Sequence, residues 1–157
     1  MSMALAVGRK MEITGASVLD LQALVKLERV CFGEDAWPFL DLVAVLTFPE
    51  VVRLKAVEGG KMIGFVAGDP KPTDGIAWIA TIAVAPEYRR RGIGRDLLRA
   101  CEARMKEPRL RLSVKASNEG AIRLYEQEGY ERIEVWHRYY RNGEAGIVMQ
   151  KVRGEWP

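Results

Sequence analysis

Apolar and polar residues change their period several times along the chain, and each change marks an element. Met11-Glu-Ile-Thr14 predicts a short strand. From Ser17, apolar residues at Leu21, Leu24, Val25, Leu27 and Cys31 recur at helical spacing and predict a helix to about Val30. Gly33-Glu-Asp-Ala-Trp-Pro38 interrupts it, and Phe39 to Leu46 predicts a second, short helix. Val51 to Glu58 alternates and is rich in β-branched residues, Glu58-Gly-Gly-Lys61 is a hairpin turn, and Met62 to Ala67 is the returning strand. The prolines and glycine of Asp69 to Gly75 predict a loop. Ile76 to Val84 carries no charge, which predicts a strand covered on both faces.

A basic, glycine-bearing turn follows Pro86. The next helix directs Ile93, Leu97, Leu98, Cys101 and Met105 inward and Arg95, Asp96, Arg99 and Glu102 outward, with its exit at Pro108. Leu110, Leu112 and Val114 alternate with Arg111, Ser113 and Lys115 as a half-buried strand. Asn118 to Glu128 is a helix capped by Gly129. Tyr130 to Tyr139, a turn at Asn142-Gly143, and Ala145 to Val152 form a closing hairpin. The sum is a mixed α/β (α+β) domain in which antiparallel strands precede a strand–helix–strand–helix–strand half.

Composition narrows the class. The chain has 157 residues, 48% of them apolar and 29% charged, enough for one domain over residues 1–157 with a core over about 12–151. The longest apolar stretches, such as Leu42 to Thr47 and Ile79 to Val84, fall far short of the ~20 residues of a spanning helix. MSMALAVGRK at the start reads as a frayed terminus and not as a signal peptide. Cys31 and Cys101 cannot build a disulfide framework, and with His137 as the one histidine no metal site is expected. A cytoplasmic, reducing setting fits these features. Charge is uneven: residues 89–111 hold nine Lys or Arg against three acids, a net +6, which leaves −3 for the rest of a chain whose total is +3. A local positive field points to a local anion.

That field lies on Ile82-Ala-Val-Ala-Pro-Glu-Tyr-Arg-Arg-Arg-Gly-Ile-Gly-Arg-Asp-Leu-Leu98. Here a buried strand turns through two glycines into a helix whose first N–H groups lack internal partners. Such a turn, flanked by arginines, forms a pyrophosphate cradle. A Walker loop would need Lys-Ser/Thr after Gly94, where Arg95-Asp96 stand, and a dinucleotide fingerprint would need Gly at Leu97. Two blander readings stay open: a tight turn with solvated arginines, and a basic nucleic-acid-binding module. The latter lacks interleaved aromatic residues for base stacking.

Arg89-x-x-Gly92-x-Gly94, preceded by Ile82-Ala-Val84 and Pro86, resembles the acetyl-coenzyme A motif of the GNAT superfamily of N-acetyltransferases. Leu112-Ser-Val-Lys-Ala-Ser-Asn118, with Ala121, Tyr125 and Gly129-Tyr130, resembles the strand and helix that follow in that family. Tyr139-Tyr140 and Ala145-Gly-Ile-Val-Met149 are most similar to RimI-type enzymes, which acetylate protein N-termini. The resemblance implies a mixed sheet of about seven strands, mostly antiparallel with a parallel splayed pair, flanked by about four helices.

It also implies residue roles. Main-chain groups of Ile82, Ala83 and Val84 would pair with the pantetheine of acetyl-CoA. Arg89, Arg90, Arg91, Gly92, Ile93, Gly94 and Arg95 would hold its pyrophosphate. Asn118 would hydrogen-bond the pantetheine, and Tyr125 would protonate the departing thiolate. A phenol near pKa 10 can donate to a thiolate of about 8.5 at modest cost, although spacing alone also allows Tyr125 to be a packing residue.

The chain departs from the family before Val114, where Ser113 replaces a frequent Glu or His and cannot act as a base near neutrality. Water held by Ser113, or Glu28 at the end of the first helix, is the expected proton acceptor, with a solvated helix face as the plain alternative for Glu28; Glu34 and Asp35 are further options. A weak base suits an α-amine, of which roughly a tenth is neutral at pH 7, whereas lysine costs about 3.4 kcal/mol more to deprotonate. Ser113 and Tyr139 are expected at the acceptor, with one of Tyr139 and Tyr140 facing inward. The acceptor is then a protein or peptide N-terminus, or else a small-molecule amine. A non-catalytic acetyl-CoA sensor is the third class. No membrane partner is expected, and the chain would act as a monomer or homodimer.

Overall fold

The sheet of this computed structural model has seven strands in the order β1-β2-β3-β4-β5-β7-β6. The structure describes residues 11–154, so the reading of MSMALAVGRK lies outside the described residues. The strands are β1 (Glu12–Gly15), β2 (Val52–Glu58), β3 (Lys61–Lys71), β4 (Ile76–Val84), β5 (Arg109–Lys115), β6 (Glu131–Trp136) and β7 (Gly146–Val152). The helices are α1 (Leu21–Phe32), α2 (Phe39–Thr47), α3 (Ile93–Ala103) and α4 (Glu119–Gln127). Every strand pair is antiparallel except β4/β5.

Each face of the sheet has its own core. Leu97, Leu98 and Cys101 of α3 and Ile122 and Tyr125 of α4 pack with Ala77, Ile79, Leu110, Leu112, Val114, Ile147 and Met149 on one face. Leu24 and Leu27 of α1 and Leu42, Val45 and Leu46 of α2 pack with Phe65, Ala67 and Ala83 on the other. Strand β4 serves both, as its uncharged sequence predicts. Ala67 faces Thr81 and Gly68 faces Ile79, so Ala80 is an extra residue that exchanges the two faces of the strand. Ala77 and Ile79 therefore point to α3, whereas Thr81 and Ala83 lie under α1.

Several expectations need correction. The predicted loop 69–75 is largely strand, because β3 runs to Lys71 with Pro70 opposite Ala77. Strand β2 pairs with β3 only as far as Gly68, so the N–H that Pro70 lacks falls on a free edge. Helix α3 stops at Ala103, before Pro108, although Met105 is still buried. Glu102, expected to face outward, is buried: Oε2 accepts from the Tyr130 hydroxyl at 2.7 Å and Oε1 from Lys151 at 3.1 Å. A carboxylate with two such donors is tolerated inside. Strand β6 ends at Trp136, so Tyr139 and Tyr140 lie in the β6–β7 loop and not on a strand.

Helix α3 sits so near β3 that Gly68 has no room for a side chain. A Cβ there would lie 2.6 Å from Met105 Sδ and 2.7 Å from Cys101 Sγ. Met105 can swing aside, but Cys101 is fixed by its helix. Gly68→Ala should therefore lower stability by about 1–3 kcal/mol, read by urea unfolding, with the fold retained.

Candidate active site

Strands β4 and β5 pair only from Ile76/Arg109 to Trp78/Arg111. Beyond Trp78 both run on, to Val84 and Lys115, without pairing to each other. The separation begins where Ala80 inserts its extra residue. Facing main-chain edges thus open toward the C-terminal ends of two parallel strands, and a polar extended chain entering there could use their unpaired groups. Ile82, Ala83 and Val84 lie on this opening. The Val84 carbonyl is already engaged, by Arg89 Nε at 2.9 Å and Cys31 Sγ at 3.4 Å.

Strand β4 leads through Pro86–Tyr88 into the turn before α3. Arg89 N–H donates to Pro86 and Asp96 N–H to Gly92. Between them, the N–H groups from Arg90 to Arg95 have no acceptor among the described residues, and no side chain caps α3. Arg90 (φ +66°) and Gly92 (φ +80°) are both left-handed, with Arg91 between them. Such alternation curls successive N–H groups around one concavity, and the dipole of α3 adds to the field there. The residues therefore fit a diphosphate.

The arginine side chains do something else. Arg89 is folded onto Val84, Arg91 reaches Glu58 at 3.5 Å and lies over the Tyr88 ring, and Arg95 binds Glu128 at 3.0 Å. Arg99 joins Arg95 on Glu128 and holds its carboxyl below the usual range. In place of a set of mobile charges, Arg90 alone of the loop has no side-chain partner among the described residues. The cradle is mainly main chain, and its arginines brace the loop, the β2–β3 hairpin and α4.

Asn118 caps α4, its Oδ1 accepting from Ala121 N–H at 3.2 Å, which leaves its amide hydrogens for a ligand. The Tyr125 ring is buried against the edge of Tyr130, 6.0 Å between centroids. Burial raises its phenol well above 10, so Tyr125 stays protonated and serves better as a hydrogen-bond donor than as a full acid.

On the α1 side of the sheet, Glu28 is fully buried and not the solvated face that was the plain alternative. Its Oε2 accepts from Thr81 Oγ1 at 2.8 Å and its Oε1 from Trp37 N–H at 3.3 Å. Burial raises its pKa despite these donors. Ser113 is half-buried on β5, and burial pushes the Tyr140 phenol up despite the Ser113 hydroxyl beside it; Tyr140 in turn lies close enough to Tyr125 to perturb it. Tyr139 is 54% exposed and packs between Trp136 and Tyr140, with Trp78 stacked beyond. Of the tyrosine pair, Tyr140 faces β5. Cys101 is core, its thiol pushed up to about 12 by burial, and His137 is exposed. Among the described residues no three His, Cys, Asp or Glu stand together as a metal site, and no helix is long and apolar enough to cross a membrane.

A Cβ on Gly94 would lie 3.7 Å from Val84 of β4 and 3.6 Å from Leu124 of α4, so the nest, the end of β4 and the helix that carries Tyr125 meet at the start of α3. The family model described as Acetyltransferase (GNAT) family matches residues 21–130. The chain belongs to the GNAT acetyltransferase family. A GNAT relative, the N-alpha-acetyltransferase RimI of Mycobacterium tuberculosis, is 32% identical over 142 residues, covering 87% of this chain and 89% of its own. The N-alpha-acetyltransferase of Sulfurisphaera tokodaii is 29% identical, covering 90% and 93%. Among solved structures, the ribosomal-protein-S18-alanine N-acetyltransferase from Escherichia coli superposes with a TM-score of 0.83 at 27% identity, covering 94% of this chain and 97% of that one. The protein is thus a GNAT-type N-acetyltransferase with the mixed seven-stranded fold that the resemblance implies.

Sequence reasoning missed Thr81 and the inward turn of Tyr140. Thr81 is the one hydroxyl in an otherwise apolar strand, which is a readable signal. The choice between two adjacent tyrosines depends on a loop path that periodicity does not encode.

The buried Glu28 gives a pH prediction. A carboxyl whose pKa is raised on folding contributes stability that is complete below its unfolded pKa and is lost as pH rises through the folded one. Glu28→Gln removes that loss. The stability of the variant relative to the native protein should rise as pH is taken above the ordinary carboxyl range, about pH 4, in urea titrations. The opposite slope would show that the Thr81 and Trp37 donors outweigh desolvation.

Proposed function

We propose that this enzyme moves an acetyl group from acetyl-CoA to the N-terminal α-amine of a protein or peptide, by direct attack in a ternary complex. The observation that carries the reading is the run of unpartnered N–H groups from Arg90 to Arg95 at the mouth of the β4/β5 opening. The diphosphate would rest on that run, with Gly92, Ile93 and Gly94 at its centre. The pantetheine would lie along Ile82 to Val84 as a short extra strand, with Asn118 beside it. Acetyl-CoA supplies an activated acyl group on a good leaving sulfur; the remaining tasks fall to side chains.

Tyr125 donates its hydrogen bond at the sulfur position, where negative charge develops in the transition state. Its raised pKa keeps the proton on the phenol, so Tyr125 stabilises the departing thiolate by a hydrogen bond without giving the proton up. The amine requires little help, because an α-amine is roughly a tenth neutral at pH 7 and a lysine well under a thousandth. We assign the proton released after attack to Glu28 through the Thr81 hydroxyl, which already donates to that carboxylate. Ser113 and Tyr140 offer hydroxyls on the facing strand and loop and would orient the acceptor, with Tyr139 lining its entrance. Names of relatives support the α-amine over a small-molecule amine: N-alpha-acetyltransferase recurs among them. The braced arginines weaken a nucleic-acid reading, since among the described residues Arg90 alone of the loop's arginines has its side chain unengaged.

Coenzyme A release with one peptide carrying a free and a blocked N-terminus tests the acceptor. Turnover is expected only on the free form, and equal turnover on both would remove the assignment. Tyr125→Phe should lower kcat by about 10²-fold with acetyl-CoA affinity unchanged in calorimetry. Glu28→Gln should lower kcat by about tenfold or more; an unchanged kcat would reduce Glu28 to a structural pin between α1 and β4.

A further inference from the structure

Ser113 and Lys115 stand two residues apart on β5, on the face opposite Leu112 and Val114. Lys115 Nζ forms an ion pair with Asp35, which ends the 3₁₀ turn Gly33–Asp35 between α1 and α2. The same ammonium lies 5.4 Å from the centroid of the Tyr140 ring in the β6–β7 loop. That loop is tied a second time to the turn that follows β5, by Glu144 accepting from Ser117 N–H at 2.6 Å. Helix α1 packs on β3 and β4, so the Asp35–Lys115 pair crosses from the β4 side of the opening to β5, at the end where the strands are apart. One ammonium thus joins the two segments that flank Ser113.

We propose that Asp35 and Lys115 form a strap that holds the two walls of the acceptor groove at a fixed separation, and so position the acceptor without touching the reacting atoms. This inference rests on the acetyltransferase reading of that face. The side chains are 15% and 30% exposed, so the pair is partly withdrawn from water and less screened than a surface pair. The carboxylate of Asp35 holds the Lys115 ammonium above its ordinary pKa. Without the strap, the α1–α2 segment keeps the Trp37–Glu28 bond but loses its tie to β5. The acceptor would then have to order that wall on binding, which weakens binding and leaves the chemical step alone.

The test compares Asp35→Asn, Lys115→Met and the charge-reversed pair Asp35→Lys with Lys115→Asp. Each single variant should raise KM for a free-N-terminus peptide by roughly tenfold, with kcat within about twofold and acetyl-CoA affinity unchanged. The reversed pair should return KM to within about threefold of the native value. Hydrogen exchange of residues 33–38 and 137–145, measured without substrate, should quicken in both segments in either single variant and recover in the reversed pair. Unchanged KM, a fall in kcat in place of a rise in KM, or failure of the reversed pair to restore would overturn the strap. If the native protein binds acetyl-CoA but acetylates no amine, the acetyltransferase reading fails by itself. Exchange then decides the strap: loosening of one segment alone, or of neither, contradicts it.

Discussion

Two parallel strands that stop pairing after Trp78 and Arg111 set the constraint on which the rest of this molecule depends. A main chain inside a sheet rarely leaves its groups unpaired, because each orphaned buried group costs about 1–3 kcal/mol. Here both strands are held apart by what packs around them. Strand β4 is bound along its other edge to β3, and β5 to β7. Ala80 swings the β4 faces so that Thr81 and Ala83 belong to the α1 core while Ala77 and Ile79 belong to the α3 core. Neither strand can relax toward the other without breaking a packed layer. The opening is therefore held by the packing of the two layers.

The charge follows from the same geometry. Strand β4 ends where α3 begins, so the unpaired N–H groups from Arg90 to Arg95 stand at the mouth of the opening. The arginines that dominate the local charge are mostly held by Val84, Glu58, Gln127 and Glu128. Their work is to fix the shape of the turn and the spacing of α3 and α4. Binding of an anion by oriented main-chain dipoles needs such rigidity, because a floppy loop would have to be ordered at the moment of binding.

Much of this was legible in the residues. Alternation of Leu110, Leu112 and Val114 placed the α3 face of β5, and with it Ser113 and Lys115 on the other. Gly92 and Gly94 between an uncharged strand and an amphipathic run placed the nest. The misreadings share a cause, which is that local pattern does not see partners distant in sequence. Glu102 looked like a solvated helix residue because Tyr130 and Lys151, its donors, come 28 and 49 residues later. Pro70 looked like a loop because the free edge that tolerates it depends on where β2 ends. Glu28 could be named as a candidate, but its enclosure by Thr81 and Trp37 emerges only when α1 lies on β4.

The central claim is that the main chain between Arg90 and Arg95 receives the diphosphate. Amide NMR of the 15N-labelled protein titrated with acetyl-CoA tests it most directly. The account predicts that the amides of residues 90–95 show the largest shifts in the molecule and become protected from solvent exchange as the ligand saturates. Saturation with those amides unmoved, or no binding at millimolar ligand, would contradict it.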